Sequence, residues 1–527
     1  MIIGIDFGTC FSTAAIMNGL IPVTTFMKED KGVGIPTLFM YSEEEMRERF
    51  GNACVGGISF RHPEDVIRYM KRTVREDSSN ITRKVISGGN EYTLQQVIEK
   101  YLAFLISGIK KAAIECGEYK NTDIEAVTVT APVGISSGQM MASEYNRFIR
   151  DAVMRITGLG EDRVKILQEP VAAAISYLYS ENIRTHYDRK SSIVVFDLGG
   201  GTLDITVVEH NPMTGEYTIL AKEGDLLLGG NDWDRKLGEA VLNKLGLEWT
   251  GTTEERLKFD MDITDLKMKL SNSEESFMCF QMNEEDHFTK ITRKEFEDCT
   301  EELLDRSIDI LRKAVSSETL PADFIPDKIV LVGGSSNMPQ IYNAIVGTEI
   351  VDEKDVMLFE PSKAIAKGAA IHAKMNYSVD GSGAGPKVID MATLTYGFDS
   401  RYNDSKDCIY NMVYKGDKFD DNGLIIRRSD SCFVPLRDDQ TVVSFMIYES
   451  EMVQGTGFDG NWFDFTDDAV FNGLKVTVQV PPEYLGRAKA FRMWVTIALD
   501  ENGILSITVF DRAGNKLAYG SSVNGAQ

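Results

Sequence analysis

Two patterns of apolar and polar positions divide the chain. Up to residue 377, short runs rich in β-branched residues alternate with longer segments whose apolar residues recur at helical spacing. The short runs predict buried strands over residues 2–5, 124–131, 164–167, 191–196, 205–209 and 328–332. The periodic segments predict helices over residues 92–113, 143–157, 171–179, 233–245, 254–271, 293–317 and 360–370. Strands and helices that alternate in this way predict an α/β fold.

Helical periodicity nearly disappears after Ser378–Pro386, a segment rich in glycine and serine that has the composition of a linker. Strands are predicted beyond it over residues 431–436, 440–448, 474–480, 491–499 and 504–510. Asp500–Gly503 contains an Asn-Gly pair and predicts a hairpin turn. An all-β part is therefore expected after the α/β part.

One turn carries candidate chemistry. The stretch Asp197–Asp204 (DLGGGTLD), here called the glycine turn, joins an apolar run to an alternating one and predicts a β-hairpin. Three consecutive glycines permit a ligand to approach the backbone closely, and converging N–H groups bind anions. The two aspartates can hold a cation or orient a water molecule. Taken alone, the stretch is equally compatible with a plain hairpin turn.

Two further turns favour the functional interpretation. Asp6–Cys10 (DFGTC), the N-terminal turn, repeats the order Asp, Gly, Thr between two strand-like runs. Two such hairpins predict a duplicated architecture with two similar lobes that face one ligand. Gly333–Ser336 follows a buried-type strand and precedes a helix, a position that suits a phosphate or a nucleoside. Glu169 is expected just ahead of a helix whose first turn contains Pro170.

Composition narrows the range of partners and compartments. The formal net charge is −24 and the sequence pI is about 4.8, which argues against nonspecific binding to nucleic acid or to an anionic membrane. No signal peptide and no apolar run of membrane-spanning length is found. The seven cysteines are odd in number and form no CxxC pair, so neither a disulfide framework nor a zinc site is expected. These features favour a cytoplasmic protein.

Several motifs in the same order resemble the heat-shock protein 70 family of chaperones, and the resemblance covers nearly the whole chain. The motifs are IDFGTCFS, LQEPVAAAISY, FDLGGGTLDITV, GDLLLGGNDWD, LVGGSSNMP and LDENGILSITVFD. The resemblance implies a two-lobed, actin-like ATPase domain with ribonuclease-H-like duplicated subdomains, followed by a β-sandwich. It implies a nucleotide-binding domain at residues 1–377, a linker at 378–390 and a substrate-binding-like sandwich at 391–520.

The resemblance also implies roles for individual residues. Asp6 and Asp197 would hold a hydrated Mg²⁺, and Glu169, Asp197 and Asp204 would form the catalytic carboxylates around the metal and the attacking water. The residues expected to bind ATP or ADP are Gly8, Thr9, Cys10, Gly199, Gly200, Gly201, Thr202, Gly229, Gly230, Lys267, Ser271, Gly333, Gly334 and Ser335. Phosphoryl transfer to water needs mainly positioning and charge neutralisation, which such a set supplies.

The sequence departs from the family pattern at several positions. The family motif that resembles Gly-Asp-Ala-Ala-Lys ends in a lysine that acts on the γ-phosphate, whereas the nearest match here, Gly51–Val55 (GNACV), ends in valine. Lys71 resembles a different family lysine. Cys10 replaces a threonine and Asn337 replaces an adenine-stacking arginine. The family's interdomain linker is represented only by residues 387–390 (KVID), and nothing matches its C-terminal helical lid.

The resemblance implies a lidless, chaperone-like ATPase whose β part binds unfolded or extended polypeptide, with co-chaperones as further partners. The departures leave open an alternative, a nucleotide-binding switch or scaffold with weak or no hydrolysis. A third hypothesis is a filament-forming or sugar-kinase relative of the same superfamily. The β part after the linker argues against it. Nucleotide binding is better supported by the sequence than catalysis, because the glycine turns are complete and the lysine is missing.

Overall fold

The computed structural model describes most of the chain. The described residues are 1–24, 34–55, 62–76, 78–115, 123–131, 142–185, 189–377, 387–403, 406–420, 423–452, 454–466, 469–500, 504–521 and 525–526. They fall into two compact units. The first contains Met1–Val133, Phe148–Tyr217 and Ala221–Lys387, and the second contains mainly Val388–Gln527, with Gly134–Arg147 and Thr218–Leu220. Among the described residues, no helix combines the length and apolar character needed to cross a bilayer.

The first unit contains two sheets of similar construction. In the first sheet the neighbouring strands are, in order, Val164–Gln168, Ala126–Ala131, Ile2–Asp6, Phe11–Asn18 and Ile21–Thr24, and Ile35–Pro36 pairs with Phe11–Asn18. In the second sheet the order is Val356–Leu358, Lys328–Val332, Ser191–Leu198, Leu203–Asn211 and Glu216–Asp225. Each sheet contains an antiparallel hairpin whose first strand has a parallel neighbour on its other side. This repeat confirms the predicted duplication into two lobes.

Burial explains why the central strands of these sheets could be found from sequence. Every residue of Ala126–Ala131 is buried, and Ile329–Val332 is buried as well. Parallel strands covered on both faces consist of continuous apolar runs, which is the pattern that predicted them. The two hairpin turns lie at the ends of Ile2–Asp6 and Ser191–Leu198, so each lobe contributes one turn at the same position of its sheet.

The predicted helices are present, with small differences in length. The α-helices among the described residues are Met70–Glu76, Leu94–Glu115, Ala142–Thr157, Glu169–Thr185, Gly230–Leu245, Thr253–Asn272, Arg293–Val315, Pro339–Val346 and Ala364–Asn376. Glu169 is the first residue of its helix rather than the residue before it. The last helix begins at Ala364 rather than at residue 360. Its small residues permit close packing, because a Cβ on Gly4 would lie 2.1 Å from the backbone nitrogen of Ala370.

Short secondary elements complete the first unit, and none of its three small hairpins was predicted. The hairpins pair Phe39–Ser42 with Arg47–Phe50, Lys84–Ser87 with Asn90–Thr93, and Glu275–Met282 with Glu285–Thr292. The 3₁₀ turns are Gly51–Cys54, Pro63–Asp65, Ser78–Thr82, Gly334–Asn337 and Glu353–Asp355. Each hairpin consists of two strands only. Except in Phe39–Ser42, most residues of these strands are exposed or half-buried, so their sequences lack the apolar runs that mark buried strands.

The second unit contains two five-stranded sheets. One has the order Trp462–Phe463, Lys406–Val413, Thr395–Tyr402, Val442–Ser450 and Val470–Gln479. The other has the order Leu424–Arg428, Trp494–Asp500, Leu505–Phe510, Lys516–Ser521 and Gly525–Ala526. Val388–Ile389, Pro482–Tyr484 and Ala488–Ala490 are short elements of the same part of the chain. Alternating residues of both sheets, among them Phe398, Val476 and Ile507, form one apolar core, as in a β-sandwich.

One strand predicted for this part of the chain was wrong, and the predicted linker and hairpin turn cannot be compared with the structure. Ser431–Leu436 is not a strand: only Phe433 pairs, with Met493, through an isolated bridge. Pro435 lacks a backbone N–H and cannot continue a ladder, which explains why the apolar run does not pair further. Ser378–Pro386 and most of the Asp500–Gly503 turn lie outside the described residues. The domain boundaries at 377 and 390 stay a prediction.

Candidate functional site

The two hairpin turns of the first unit meet at one cavity, here called the central cavity. Its volume is about 460 Å³, within the range of roughly 300–1,000 Å³ typical of small-molecule sites. Both lobes contribute walls, since the N-terminal turn comes from the first sheet and the glycine turn from the second. Helix Thr253–Asn272 and the turn at Gly333 close the rest of it. The structure therefore contains two lobes around one cavity, and the binding of a ligand there stays a prediction.

The N-terminal turn is held by short backbone contacts. A Cβ on Gly8 would lie 2.0 Å from the carbonyl oxygen of Phe11, so only glycine fits there. Thr37 fixes the turn from the side, because its hydroxyl donates to the carbonyl of Gly8 at 2.9 Å and its backbone N–H donates to the carbonyl of Cys10 at 2.8 Å. Burial raises the pKa of the Cys10 thiol to about 11, so it stays protonated at neutral pH.

The glycine turn packs directly against the N-terminal turn. The N–H of Gly199 donates to the carbonyl of Thr202 at 3.0 Å, which closes the turn. A Cβ on Gly200 would lie 2.6 Å from the sulfur of Cys10, and one on Gly201 would lie 3.1 Å from the side chain of Thr9. The consecutive glycines thus allow the backbones of the two turns to approach each other. Convergent backbone N–H groups in such a cradle suit an anion.

The segment Gly229–Asn231 supports the glycine turn from behind. The N–H groups of Gly230 and Asn231 donate to the carbonyls of Gly199 and Gly200 at 2.9 and 2.8 Å. A Cβ on Gly229 would lie 2.4 Å from the carbonyl carbon of Gly201. Gly229 and Gly230 do not line the central cavity themselves. They were predicted to bind the nucleotide, and the structure instead places them where they position the turn that lines the cavity.

The turn at Gly333 joins the same cavity from the second sheet. Gly333 has a φ of +81°, and a Cβ there would lie 2.3 Å from the carbonyl oxygen of Leu198, so both conformation and space require glycine. Ser335 is tied to the glycine turn, because its hydroxyl donates to the carbonyl of Gly199 at 2.9 Å. Gly333, Gly334 and Ser335 all line the cavity, as predicted for residues near a nucleoside.

Four carboxylates cluster near the two hairpin turns, and three of this cluster line the cavity. Burial, followed by the nearby charge of Glu169, raises the pKa of Asp6 to about 7. Burial, followed by the charges of Glu169, Asp204 and Asp6, raises the pKa of Asp197 well above its usual range. Asp204 lies behind the turn and accepts a hydrogen bond from the hydroxyl of Thr202 at 3.1 Å. Buried acids that repel one another in this way are stabilised by a cation.

A buried lysine enters the cavity, which the sequence did not lead us to expect. The side chain of Lys71 donates to the carbonyl of Phe7 at 2.5 Å and forms an ion pair with Glu169. Lys71 is 2% exposed and lines the central cavity. Val55, the position at which the lysine was judged missing, is 38% exposed and does not line this cavity. The inference that the site lacks a lysine was therefore wrong.

The opposite end of the cavity is formed mainly by helix Thr253–Asn272. The ammonium of Lys267 forms an ion pair with Asp234 at 2.9 Å and donates to the carbonyl of Gly230 at 2.8 Å. Ser271 lines the cavity and donates to the carbonyl of Lys267 at 3.1 Å. Asn337 also lines it, with its amide donating to the carbonyl of Gly334 at 2.8 Å. Asp234 also lines this end, where its ion pair with Lys267 offsets its charge.

Most of the predicted site residues meet at this cavity. Those that line it are Asp6, Gly8, Thr9, Cys10, Glu169, Asp197, Gly199, Gly200, Gly201, Thr202, Lys267, Ser271, Gly333, Gly334 and Ser335. Gly229, Gly230 and Asp204 stand behind it. Lining residues that the sequence analysis did not assign include Lys71, Asn231, Asp234 and Thr264. Asn231 and Asp234 lie within the quoted motif GDLLLGGNDWD, whereas no local signal marks Lys71 or Thr264.

The donor set fits a nucleotide with a divalent cation. Glycines of both turns line the cavity, so phosphates can approach the backbone closely there. Asp6 and Asp197 supply oxygen donors for a hard cation such as Mg²⁺. Lys71 supplies a fixed positive charge at the same end. The nucleoside would then occupy the end formed by Lys267, Ser271 and Gly334.

Comparison with known proteins identifies a family and finds similar sequences among characterised proteins. The family profile described as Hsp70 protein matches residues 2–519. A protein named Chaperone protein DnaK 1, from Synechococcus sp., is 26% identical to this chain, and the alignment covers 97% of this chain. The chain covers 64% of that relative's own length.

Proposed function

The chain belongs to the Hsp70 family, and on this premise we propose that it is an ATP-binding, chaperone-like protein that hydrolyses ATP slowly and binds extended polypeptide through its second unit. The observation that carries the proposal is the convergence of both hairpin turns, Asp6, Asp197, Glu169 and Lys71 on one cavity. Phosphoryl transfer to water needs little covalent help from a protein, and these groups supply positioning and charge.

The residues of the cavity have distinct tasks in this proposal. The N–H groups of the two turns hold the phosphates, and Lys71 stabilises negative charge that develops on the transferred group. Asp6 and Asp197 hold Mg²⁺ through its water shell, and the bound ion neutralises phosphate charge. Glu169, oriented by its ion pair with Lys71, positions the attacking water. Asp204 fixes the hydroxyl of Thr202 and so acts as a positioning residue.

Polypeptide binding is proposed for the second unit. Ile426, on the edge strand Leu424–Arg428, is 55% exposed, and Leu436 is 43% exposed. An extended segment can add to a sheet edge through main-chain hydrogen bonds while apolar side chains give selectivity. Co-chaperones are proposed as further partners on the strength of the family. Nucleic acid is not proposed as a partner, since the net charge of −24 opposes it.

The proposal is tested by ATP hydrolysis with and without a reduced, carboxymethylated polypeptide that stays unfolded. We expect Mg²⁺-dependent phosphate release that rises severalfold with the polypeptide, because binding at one site shifts the state of the other. Ile426→Ser is expected to lower this stimulation, whereas Phe277→Ser, which removes an exposed apolar side chain from the first unit, leaves it unchanged. Hydrolysis that no polypeptide affects would rule out the coupled activity.

A second candidate function is a nucleotide-binding switch with little hydrolysis. The observation that favours it is Cys10, whose protonated thiol stands at the junction of the two turns where a hydroxyl is usual in the family. A thiol is a weak hydrogen-bond donor, so it contributes less to phosphate positioning than a hydroxyl does. Calorimetry that detects ATP and ADP binding without turnover would favour the switch over the ATPase.

Substitution of Val55 by lysine tests whether a lysine is needed at that position. We expect Val55→Lys to change the rate of hydrolysis by less than about twofold, as for other exposed substitutions. The physical reason is that Lys71 already occupies the central cavity and Val55 lies outside it. Leu20→Lys, which adds the same charge at another exposed site of this lobe, is the matched control. A large rise in Val55→Lys alone would show that charge at residue 55 limits catalysis.

A further inference from the structure

A second cavity of about 440 Å³ adjoins the central cavity. Three of the exposed apolar side chains of the first unit converge on it: Val55 is 38% exposed, Tyr69 39% and Met268 41%. Its floor is shared with the central cavity, because Thr9, Cys10, Asn231, Thr264 and Met268 line both. Exposed apolar side chains that gather in one concave site, rather than singly on a surface, are typical of a place where a ligand binds.

Arg68 gives this cavity an available positive charge. Its guanidinium lies 5.6 Å from the centre of the Tyr69 ring and lines the cavity. Within the part of the chain that the structure describes, it has no ion pair or hydrogen bond. This is notable in a chain that contains 80 acidic and 56 Lys or Arg residues, where acidic partners are abundant. A guanidinium that is half-buried without a carboxylate is suited to an anionic ligand.

The acidic residues of the second cavity do not compete for that ligand. Asp260 pairs with Arg256 at 2.8 Å, and Asp265 pairs with Lys269 at 2.5 Å. Their charges are therefore balanced on their own helix, Thr253–Asn272. The cavity keeps one positive charge without an acidic partner, and apolar surface surrounds it.

Tyr69, which lines this cavity, is held in an unusual backbone conformation. Its φ is +55°, in the left-handed region that residues other than glycine seldom adopt. Such a conformation costs free energy, of order 1–3 kcal/mol, and residues that keep it tend to lie at functional sites. The adjacent Arg68 and Tyr69 therefore offer a cation and an aromatic face side by side.

We propose that the second cavity binds a small aromatic anion, with its carboxylate, sulfonate or phosphate group on Arg68 and its ring against Tyr69 and Met268. Aromatic rings gain by stacking on tyrosine and by contact with a thioether, and the anion gains from a charge-assisted pair with the guanidinium. The proposal goes beyond nucleotide binding, since it concerns a site beside the central cavity and does not depend on which nucleotide binds there.

The test uses 8-anilinonaphthalene-1-sulfonate, an aromatic anion whose fluorescence rises on binding, with the full chain. We expect saturable binding that Arg68→Gln weakens by about tenfold or more, as expected for loss of a charge-assisted contact. Tyr69→Gly is expected to weaken it as well. Glycine adopts a positive φ without strain, so this variant removes the ring and keeps the backbone conformation. N-phenyl-1-naphthylamine, which has the same rings without the sulfonate, is expected to bind equally to the wild type and to Arg68→Gln.

Two control variants locate the bound dye. Asn337→Ala alters the central cavity alone, and Phe471→Ser removes an exposed aromatic side chain of the second unit. Neither is expected to change the affinity for the dye. Thermal unfolding of every variant shows whether it is folded. Dye affinity that is unaffected by both Arg68→Gln and Tyr69→Gly, or that falls as much in either control, would overturn the proposal.

Discussion

Replacing Lys71 with alanine is expected to lower the rate of ATP hydrolysis by about 100-fold or more, comparable to the removal of one preorganised donor from an active site. Lys71 is 2% exposed and lies in the central cavity between the carbonyl of Phe7 and the carboxylate of Glu169. Its loss removes positive charge from the transition state and leaves Glu169 without its partner. Steady-state phosphate release at saturating ATP measures the effect, with calorimetry to show how far ADP binding is retained.

Stability has to be separated from catalysis in this experiment. Removing one member of a buried ion pair costs roughly 3–5 kcal/mol, because a charge is left uncompensated. The double variant Lys71→Met with Glu169→Gln removes both charges and is expected to recover much of the lost unfolding temperature, while hydrolysis stays low. Lys71→Arg retains the charge and is expected to be less impaired than alanine. An alanine variant that folds and still hydrolyses ATP at the wild-type rate would exclude a catalytic role for Lys71.

Replacing Asp197 with asparagine is expected to abolish the Mg²⁺ dependence of nucleotide binding and to lower hydrolysis by about 100-fold or more. The proposed role of Asp197 is to hold hydrated Mg²⁺ together with Asp6. Burial and the charges of Glu169, Asp204 and Asp6 hold the pKa of Asp197 well above its ordinary value. The carboxylate therefore needs a compensating cation at neutral pH, and an amide of the same shape does not. Calorimetric titration of ADP with and without Mg²⁺ measures the change.

The same substitution is expected to lower activity but to raise the stability of the protein without ligand. A carboxyl group whose folded-state pKa is raised binds a proton more strongly in the folded protein, so stability falls as the pH rises above the ordinary value of 3.8. Without ligand, Asp197→Asn is therefore expected to unfold at a higher temperature than the wild type at neutral pH. With Mg²⁺ and ATP, the wild type is expected to unfold at the higher temperature, because only the wild type is stabilised by the bound ion.

An acid outside the cavity provides the control for this pair of measurements. Asp162→Asn changes the same functional group at an exposed position and is expected to leave hydrolysis, Mg²⁺ dependence and unfolding temperature unchanged. An Asp197→Asn variant that hydrolyses ATP with normal Mg²⁺ dependence would contradict the assignment of the metal to this carboxylate. An unliganded variant less stable than the wild type would contradict the argument from charge repulsion.

Elements with a strong internal pattern were predicted well. The hairpin at Asp197–Asp204, the buried strand Lys328–Val332 and the helices at Thr253–Asn272 and Arg293–Val315 all follow their sequence patterns closely. In the second unit, strands that alternate cleanly, such as Leu505–Phe510, were found, whereas Thr395–Tyr402 was missed. The C-terminal half of that strand is polar and partly exposed, so its sequence resembles a loop.

In the candidate site, too, the parts with a local sequence pattern were predicted, and the prediction about the lysine was wrong. Turns such as Gly199–Thr202 are formed by consecutive residues. Their chemistry could therefore be predicted from those residues and from the family resemblance. Lys71 was not recognised as part of the site, because the lysine was sought in Gly51–Val55 and Lys71 resembled a different family lysine. Only the fold shows that it is buried against Glu169, which lies 98 positions further along the chain.

The sequence by itself determined the order of the strongly patterned elements, the two hairpin turns and the division into an α/β part and a β part. These features depend on hydrophobic periodicity and turn chemistry, which act over a few neighbouring residues. The tertiary structure alone decided which lysine enters the cavity, why Gly333 cannot carry a side chain, and that Gly229 supports the glycine turn from behind it. Those facts arise from burial and from contacts between distant segments, and no local pattern encodes them.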